Sequence, residues 1–231
     1  MKNSKLKAFL PLIIVVVLIV VLTAVSVFTP KAPSIAKNND MKDIGVLIAG
    51  GDNEKAVAKL DQYDGKYGGD DSSYYNRAVA LANMGKYEDA MTYLRKCSND
   101  YQGRSAEYQF QCGECERLLG NESSAVSRYT KALEINPDHY ESLVRLGAYN
   151  FYNNPDCYAG LEYLRSAVNV YDKDAASLFL LAKAYLNVAY YDEAKFYLDE
   201  ACKYSYDGVV KAAAQECYDV IEEHETKGGL R

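Results

Sequence analysis

The motif with the clearest chemical potential is Cys112-Gly-Glu-Cys115, because two cysteines separated by two residues can form a redox-active pair. Redox pairs of this kind lie at the N-terminus of a helix beside a strand. The surrounding residues instead follow a helical pattern, and no strand is predicted nearby. The motif is therefore predicted to lie within a helix and not to carry out redox chemistry.

Other catalytic patterns are missing from the sequence. His139 and His224 are 85 positions apart, and neither belongs to an HExxH motif or a His-Cys cluster, which argues against a catalytic zinc site. Gly50-Gly51 is not followed by the Lys-Ser/Thr ending of a phosphate-binding loop. The chain is therefore predicted not to be an enzyme and to hold no metal or cofactor.

Two pairs of cysteines share one spacing, since Cys97 and Cys112 are 15 positions apart and so are Cys202 and Cys217. The midpoint of each pair falls in a predicted loop between helices, so the two members would face each other across an antiparallel hairpin. Helices packed about 8–10 Å apart can bring small side chains within disulfide range. We hypothesise two disulfide bonds; the alternative is that these cysteines are small buried hydrophobic residues.

The N-terminal segment is strongly apolar. From Ala8 to Phe28, 21 residues carry no charge, and 16 of them are Leu, Ile, Val or Phe. Because this length matches the hydrocarbon core of a bilayer, residues 8–29 are predicted to form a transmembrane signal-anchor. The three lysines before it favour a cytoplasmic N-terminus and an extracytoplasmic body. Cleavage as a signal peptide, which would secrete the body, is the alternative.

Charge also separates this leader from the rest of the chain. Residues 1–37 contain five lysines and no acidic residue, whereas residues 38–231 contain 21 basic and 32 acidic residues, a net charge of −11. Proteins that bind nucleic acid present a basic surface to the phosphates. The body is therefore predicted not to bind nucleic acid.

One sequence pattern recurs along the body. NMGKYEDAMTYLRKC starts at Asn83, and NVAYYDEAKFYLDEA starts 104 positions later, at Asn187. Weaker copies lie between them, which gives a period near 34 residues. Because one helix pair cannot bury both its faces, stacked pairs with a shared core are predicted. Each copy follows a helical stretch with a small residue that lets neighbouring helices approach closely: Ala78, Gly113, Gly147 and Ala182.

This pattern resembles the tetratricopeptide repeat (TPR) family, and the match is best over residues 106–139 and 175–208. The resemblance implies an all-α fold, a right-handed α-solenoid of TPR-like helix hairpins. An apolar stripe from Val210 to Ile221 indicates a C-terminal capping helix, and the leader adds one preceding transmembrane helix.

The predicted boundaries follow from these patterns. A basic cytoplasmic tail (1–7), the signal-anchor (8–29) and a polar linker (30–39) precede a TPR-like domain (40–225) and a flexible tail (226–231). Within the domain we expect a degenerate copy at 40–70, repeats at about 71–105, 106–139, 140–174 and 175–208, and a cap at 209–225.

The resemblance also implies a binding surface, because in this family the first helix of each pair lines a concave groove for extended peptides or protein tails. The predicted function is therefore that of a membrane-anchored TPR scaffold that binds a protein or peptide partner through an aromatic groove on the extracytoplasmic side. Carried over position by position, the predicted groove residues are Tyr75, Asn76, Asn83, Phe110, Gln111, Glu114, Arg117, Val144, Arg145, Phe151, Tyr152, Phe179, Lys183 and Asn187.

Alternatives remain open for both the groove and the function. A register error of one residue would return the aromatic residues to the core, and the C-terminal helix could itself fill the groove. The alternative functions are a self-associating structural solenoid, and thus a homo-oligomer, or an accessory subunit of a membrane enzyme or secretion complex.

Overall fold

The computed structural model of the protein describes residues 31–153, 158–206 and 208–228. Within these ranges the chain forms twelve helices and no strand, which confirms the all-α prediction. The predicted signal-anchor at 8–29 lies outside the described residues. None of the helices inside them is both long enough and apolar enough to cross a membrane.

The helices form two compact units, which meet in sequence between Lys86 and Tyr87. The first unit contains α1 to α3, and the second contains α4 to α12. In chain order the helices are α1 (Lys31–Ala49), α2 (Asn53–Tyr67), α3 (Asp71–Asn83), α4 (Tyr87–Leu94), α5 (Asn99–Arg104), α6 (Ala106–Leu118), α7 (Glu122–Ile135), α8 (Tyr140–Asn153), α9 (Tyr158–Val170), α10 (Ala175–Asn187), α11 (Tyr191–Tyr204) and α12 (Gly208–Gly228).

The first unit packs three helices around a small core of Ile44, Ala56, Leu60, Tyr63 and Ala80. Each of α1, α2 and α3 contacts the other two. Isolated short helices are marginal in water, so this shared apolar cluster is what stabilises the three of them together.

The segment predicted as a linker, residues 30–39, is helical from Lys31 onward. Pro33 lies in the first turn of α1, where a missing backbone N–H costs nothing. The helix is also held by tertiary contacts, since Lys37 pairs with Asp70 at 2.7 Å and Asp40 accepts a 2.8 Å hydrogen bond from the hydroxyl of Tyr67. These contacts with distant residues override the extended preference of the Pro-containing segment.

The second unit contains three consecutive antiparallel pairs, α6 with α7, α8 with α9 and α10 with α11, and successive pairs also contact each other. The last helix, α12, packs on both α10 and α11. It buries Ala214, Cys217 and Ile221 against a cluster that includes Ala182 and Leu198. The predicted capping helix is therefore present and covers the apolar end of the last pair.

The turns after α6 and α10 share one backbone geometry. Gly120, after α6, and Ala189, after α10, both have a positive φ, 83° and 59° respectively. The backbone N–H of the following residue bonds to the carbonyl five positions earlier, at 2.8 Å after Gly120 and at 3.0 Å after Ala189. This is the Schellman motif, which reverses the chain at the end of a helix. Glycine adopts the required conformation without strain, whereas Ala189 does not.

Small residues lie where neighbouring helices come closest, as the sequence predicts. A Cβ atom at Gly113 would lie 2.5 Å from the ring of Tyr129, and one at Gly147 would lie 2.7 Å from Leu164. At Gly160 the Cβ atom would lie 2.8 Å from the backbone nitrogen of Phe151. Because backbone cannot move aside as a side chain can, Gly160 fixes the closest approach of α9 to α8.

The first repeat departs from the expected hairpin. Its second helix, α4, ends at Leu94, and a separate short helix, α5, occupies Asn99–Arg104. The hydroxyl of Ser98 accepts a 3.2 Å hydrogen bond from the backbone N–H of Tyr101 and caps α5. Residues 99–104 are therefore helical, although the sequence predicts an interhelix loop at 101–106.

The two predicted disulfide bonds are not formed. No disulfide bond joins any of the five cysteines among the described residues: Cys97, Cys112, Cys115, Cys202 and Cys217. The pairing of Cys97 with Cys112 assumed one hairpin around a central loop, and α5 occupies that position instead. Cys217 packs into the cluster beneath α12, where Cys202 is only partly buried. The alternative, small buried hydrophobic residues, describes the four buried cysteines better.

Candidate functional site

The predicted groove residues divide between the two compact units. Tyr75, Asn76 and Asn83 lie on α3 in the first unit, and the other eleven lie on α6, α8 and α10 in the second. The helices α6, α8 and α10 are the first helices of the three consecutive pairs, so the positions carried over from the resemblance do fall on equivalent elements.

In the first unit, the two asparagines take part in contacts within the unit. Asn76 donates a 2.8 Å hydrogen bond to the carbonyl of Ser72 and lies 3.5 Å from the sulfur of Met41 on α1. Asn83 donates to the side chain of Asn53 on α2 at 3.2 Å. Tyr75 is half-buried. Both amides therefore help to hold α3 to its neighbours, and a ligand would have to compete with these bonds.

In the second unit, a charged cluster forms around Glu114 on α6. Its carboxylate accepts hydrogen bonds from Arg117 at 3.1 and 3.3 Å, from the Tyr129 hydroxyl at 2.5 Å and from Arg145 at 2.8 Å. The Glu114 side chain is only 14% exposed, whereas that of Arg145 on α8 is 42% exposed. The cluster therefore joins the first helices of two successive pairs and leaves one cation partly open to solvent.

The surroundings of Glu114 determine its ionisation. Burial raises the pKa of this carboxyl group, but hydrogen bonds from Arg117 and Tyr129 and the positive charge of Arg145 outweigh burial, and the net pKa is lowered. Burial, together with the bond to this carboxylate, raises the pKa of Tyr129. Glu114 is therefore ionised at neutral pH, and Tyr129 stays protonated as its donor.

Phe110 packs beside this cluster, and its contacts with neighbouring side chains cover part of its ring. Its ring centroid lies 5.8 Å from that of Tyr129 and 5.4 Å from that of His139. The side chain is half-buried against the cluster of Ala125, Tyr129 and Leu146. Phe110 therefore contributes to the core between α6, α7 and α8 and offers at most one edge to the surface.

A second cluster forms around Lys183 on α10. Its ammonium nitrogen lies 5.8 Å from the ring centroids of Phe151 and Phe179 and 5.9 Å from that of Tyr152, within reach of the cation–π attraction. Tyr152 on α8 is 65% exposed, and Phe179 is half-buried. Lys183 thus links α10 to α8 in the way that Arg145 links α8 to α6.

Phe151 lies in the core, although the sequence analysis placed it on the open face. It is 9% exposed and packs with Leu161, Leu164 and Leu178. The reason is its position four residues after Gly147, because residues four apart share one face of a helix. Gly147 approaches α9 closely, so Phe151 points to the same side.

The remaining predicted residues complete this face. Val144 and Gln111 are half-buried, and Asn187 at the end of α10 is exposed. Among the eleven predicted residues of the second unit, three are basic (Arg117, Arg145 and Lys183) and one is acidic, Glu114. Within the described ranges, no three His, Cys, Asp or Glu side chains are placed so that they could hold a metal ion. The arrangement offers cations, amides and an exposed tyrosine, which are groups for recognition.

The sequence analysis missed the role of His139, which it considered only as a metal ligand. His139 is 6% exposed, and its Nδ1 accepts a 3.3 Å hydrogen bond from the backbone N–H of Ser142. The side chain therefore caps the start of α8. Histidine is not among the residues that commonly cap helices, so the sequence gives no clear signal for this role.

Comparison with protein families gives direct support for the repeats. The family model for the tetratricopeptide repeat matches residues 71–99 and 175–207. The chain contains tetratricopeptide repeats. The first match covers α3 and α4, and the second covers α10 and α11. The comparison with curated protein sequences found no match.

Solved structures with the same fold are similar over most of their length. PilF of Pseudomonas aeruginosa has a TM-score of 0.69 at 14% identity over 87% of this chain and 91% of that protein. YrrB, described as a TPR protein with an unusual peptide-binding site, has a TM-score of 0.55 at 16% identity over 80% and 96%. MamA of Desulfovibrio magneticus RS-1 has a TM-score of 0.56 at 16% identity over 73% and 94%. At these identities the similarity shows the fold alone.

Proposed function

We propose that this protein is a membrane-anchored scaffold that binds a protein or peptide partner on the face shared by α6, α8 and α10. The observation that carries the proposal is the cluster around Lys183, where a cation and the 65% exposed ring of Tyr152 lie side by side. A ligand that covered both would bury apolar ring surface and pair with a charge in one contact.

The charge of this face favours one kind of partner segment. The eleven predicted groove residues on α6, α8 and α10 include three basic residues and one acidic residue. Residues 38–231 as a whole carry a net charge of −11. Arg145 and Lys183 lie on neighbouring first helices, and each already links its helix to the one before. An extended segment with carboxylate side chains would be attracted to such a basic strip on an acidic domain.

Membrane attachment is proposed from the leader sequence. Twenty-one uncharged residues, Ala8–Phe28, are long enough to span a bilayer, and three lysines precede them. The body would then lie on the extracytoplasmic side, and a partner in the same membrane would meet it at a raised effective concentration. Fusion of alkaline phosphatase to the C-terminus tests this orientation, because that enzyme becomes active only outside the cytoplasm. An inactive fusion at normal abundance would contradict it.

Affinity capture from native membranes tests the binding face. We would compare the full wild-type chain with a Tyr152→Ala, Lys183→Gln double variant and with a matched Tyr158→Ala, Lys195→Gln control. Tyr158 is 57% exposed on α9, and Lys195 is exposed on α11, so the control removes the same side-chain types from second helices. Circular dichroism would show that helicity is the same in all three proteins.

The expected result is a protein partner that wild type and the control retain and the Tyr152, Lys183 variant loses. Identical capture by all three proteins would contradict binding on this face. A captured protein that is only a second copy of the chain would instead favour the self-associating alternative.

A further inference from the structure

Two crevices on the other side of the second unit occupy the same position in successive repeats. The first, of about 460 Å³, includes Leu133, Leu143 and Tyr163, and the second, of about 480 Å³, includes Val168, Leu178 and Tyr197. Each residue of the second set lies 34 or 35 positions after its counterpart in the first. The crevices are therefore one feature of the repeat that occurs twice.

Their position separates them from the face of α6, α8 and α10. The first crevice lies between α7, α8 and α9, and the second lies between α9, α10 and α11. In both, a buried leucine of the first helix, Leu143 or Leu178, forms the floor. A half-buried tyrosine of the second helix, Tyr163 or Tyr197, forms a wall. The openings thus lie along the second helices of the pairs.

The rim of the second crevice exposes large apolar side chains. Phe196 is 58% exposed and Val170 is 43% exposed, and both line it. Neighbouring exposed apolar residues around a concavity indicate a binding surface more strongly than scattered ones do. The volumes of both crevices are also within the range of about 300–1,000 Å³ that is usual for ligand sites.

The charged residues that line the crevices have one sign. Glu162 lines the first, and Asp172 and Glu200 line the second; no basic residue of the described chain lines either. Glu162 pairs with Arg165 at 2.9 Å and Glu200 with Lys203 at 3.0 Å, three residues apart on exposed helix surface. Exposed pairs of this kind are weak, so a cation from a ligand can take the place of Arg165 or Lys203.

We propose that the two crevices form a second docking surface, which binds a basic amphipathic segment of a partner protein. Apolar side chains of the segment enter the crevices beside Tyr163 and Tyr197. Its Lys or Arg side chains pair with Glu162, Asp172 and Glu200. The two faces of the second unit then select segments of opposite charge, acidic on the first helices and basic on the second helices.

The test uses two dye-labelled synthetic peptides with the same Leu and Phe residues, one with Lys and the other with uncharged Gln at the remaining positions. Binding to the full chain in detergent micelles is measured by fluorescence anisotropy, with empty micelles as the baseline. We expect the Lys peptide to bind at least about tenfold more tightly than the Gln peptide, and added salt to weaken it.

Two variants locate the binding. Phe196→Ala removes exposed apolar surface without changing the charge and is expected to weaken the Lys peptide about tenfold. The control is Tyr206→Ala, which removes an exposed aromatic side chain that precedes α12 and lines neither crevice, and it is expected to leave the affinity unchanged. A Glu162→Gln, Asp172→Asn double variant is expected to reduce both the affinity and its dependence on salt.

Several outcomes would overturn the proposal. These are equal binding of the two peptides, no binding of the Lys peptide above the micelle baseline, and an equal loss of affinity in the Tyr206→Ala control. A dimer of the full chain that dissociates on dilution and is lost in Phe196→Ala would assign the crevices to a second copy instead.

Discussion

Arg145 on α8 donates a 2.8 Å hydrogen bond to the carboxylate of Glu114 on α6, so a charge pair joins the first helices of two successive repeats. The same carboxylate accepts from the hydroxyl of Tyr129 on α7 at 2.5 Å. A carboxylate that is 14% exposed is tolerated only because its hydrogen bonds replace lost hydration. Glu114 therefore connects three helices, and Arg145 supplies the link to the next repeat.

This connection predicts a coupling in stability. Glu114→Ala leaves the Tyr129 hydroxyl and Arg117 without their acceptor and should lower the free energy of unfolding by about 2–3 kcal/mol. Arg145→Ala should cost less, about 1 kcal/mol, because that side chain is 42% exposed. In a double-mutant cycle, measured by urea unfolding and circular dichroism, we expect a coupling of about 0.5–1.5 kcal/mol. Additive losses would contradict the link.

The ionisation of Glu114 predicts a pH dependence. Its pKa is lowered in the folded state because, although burial raises it, hydrogen bonds from Arg117 and Tyr129 and the charge of Arg145 prevail. A lowered carboxyl pKa stabilises the fold above the unfolded value of about 4.3, and this stabilisation is lost as the pH falls through the folded pKa.

The difference in unfolding free energy between wild type and Glu114→Gln should therefore be largest above about pH 5 and shrink towards about pH 3. Urea unfolding of both proteins across this range measures it. A difference that stays constant from neutral to acidic pH would mean that the carboxylate is not stabilised by these partners.

The turn at Ala189 predicts a stabilising substitution. Ala189 has a φ of 59°, whereas the equivalent turn after α6 has glycine, Gly120, with a φ of 83°. An L-residue with a side chain is strained by about 1–2 kcal/mol in this region, and glycine loses part of that gain to backbone entropy. Ala189→Gly should therefore raise the free energy of unfolding by about 0.5–1 kcal/mol. Gly120→Ala, the reciprocal control, should lower it by a similar amount; equal stabilities of all three proteins would contradict the assignment.

The burial of the free cysteines predicts their order of reaction. Burial raises the pKa of the Cys115 thiol to about 11 and also raises that of Cys112, so both should be thiols and poor nucleophiles at pH 8. Cys202 is only partly buried. When the native protein is treated with iodoacetamide, Cys202 should be alkylated before Cys97, Cys112, Cys115 and Cys217. Mass spectrometry of samples taken over time measures this order. Four unreactive residues that become reactive only after reduction would restore the disulfide hypothesis.

The repeat architecture was predictable because its signal is periodic. Small residues such as Gly113 and Gly147 mark the places where helices approach closely, and their recurrence indicates helix pairs before any contact is known. Alanine by itself gives no indication of the positive φ at Ala189. The repeat does indicate it, because Ala189 stands 104 positions after Gly85, which also has a positive φ.

The candidate site was only partly predictable. The resemblance to the TPR family placed Glu114, Arg145 and Lys183 on equivalent helices, but it could not show that the first two pair with each other. It also placed Phe151 on the open face, because a repeat pattern does not determine which side of a helix a neighbour covers. Likewise, the sequence predicts a polar linker at 30–39, whereas the structure is helical from Lys31 onward and Lys37 pairs with the distant Asp70.

The central claim, that a partner binds on the face of α6, α8 and α10, is tested most directly by site-specific photocrosslinking in native membranes. A benzophenone amino acid would replace Tyr152 on this face in one protein and Tyr158 on α9 in another; these side chains are 65% and 57% exposed. We predict a discrete crosslinked product to another protein from position 152 that position 158 does not give. The same product from both positions, or no product from position 152, would contradict the proposed binding face.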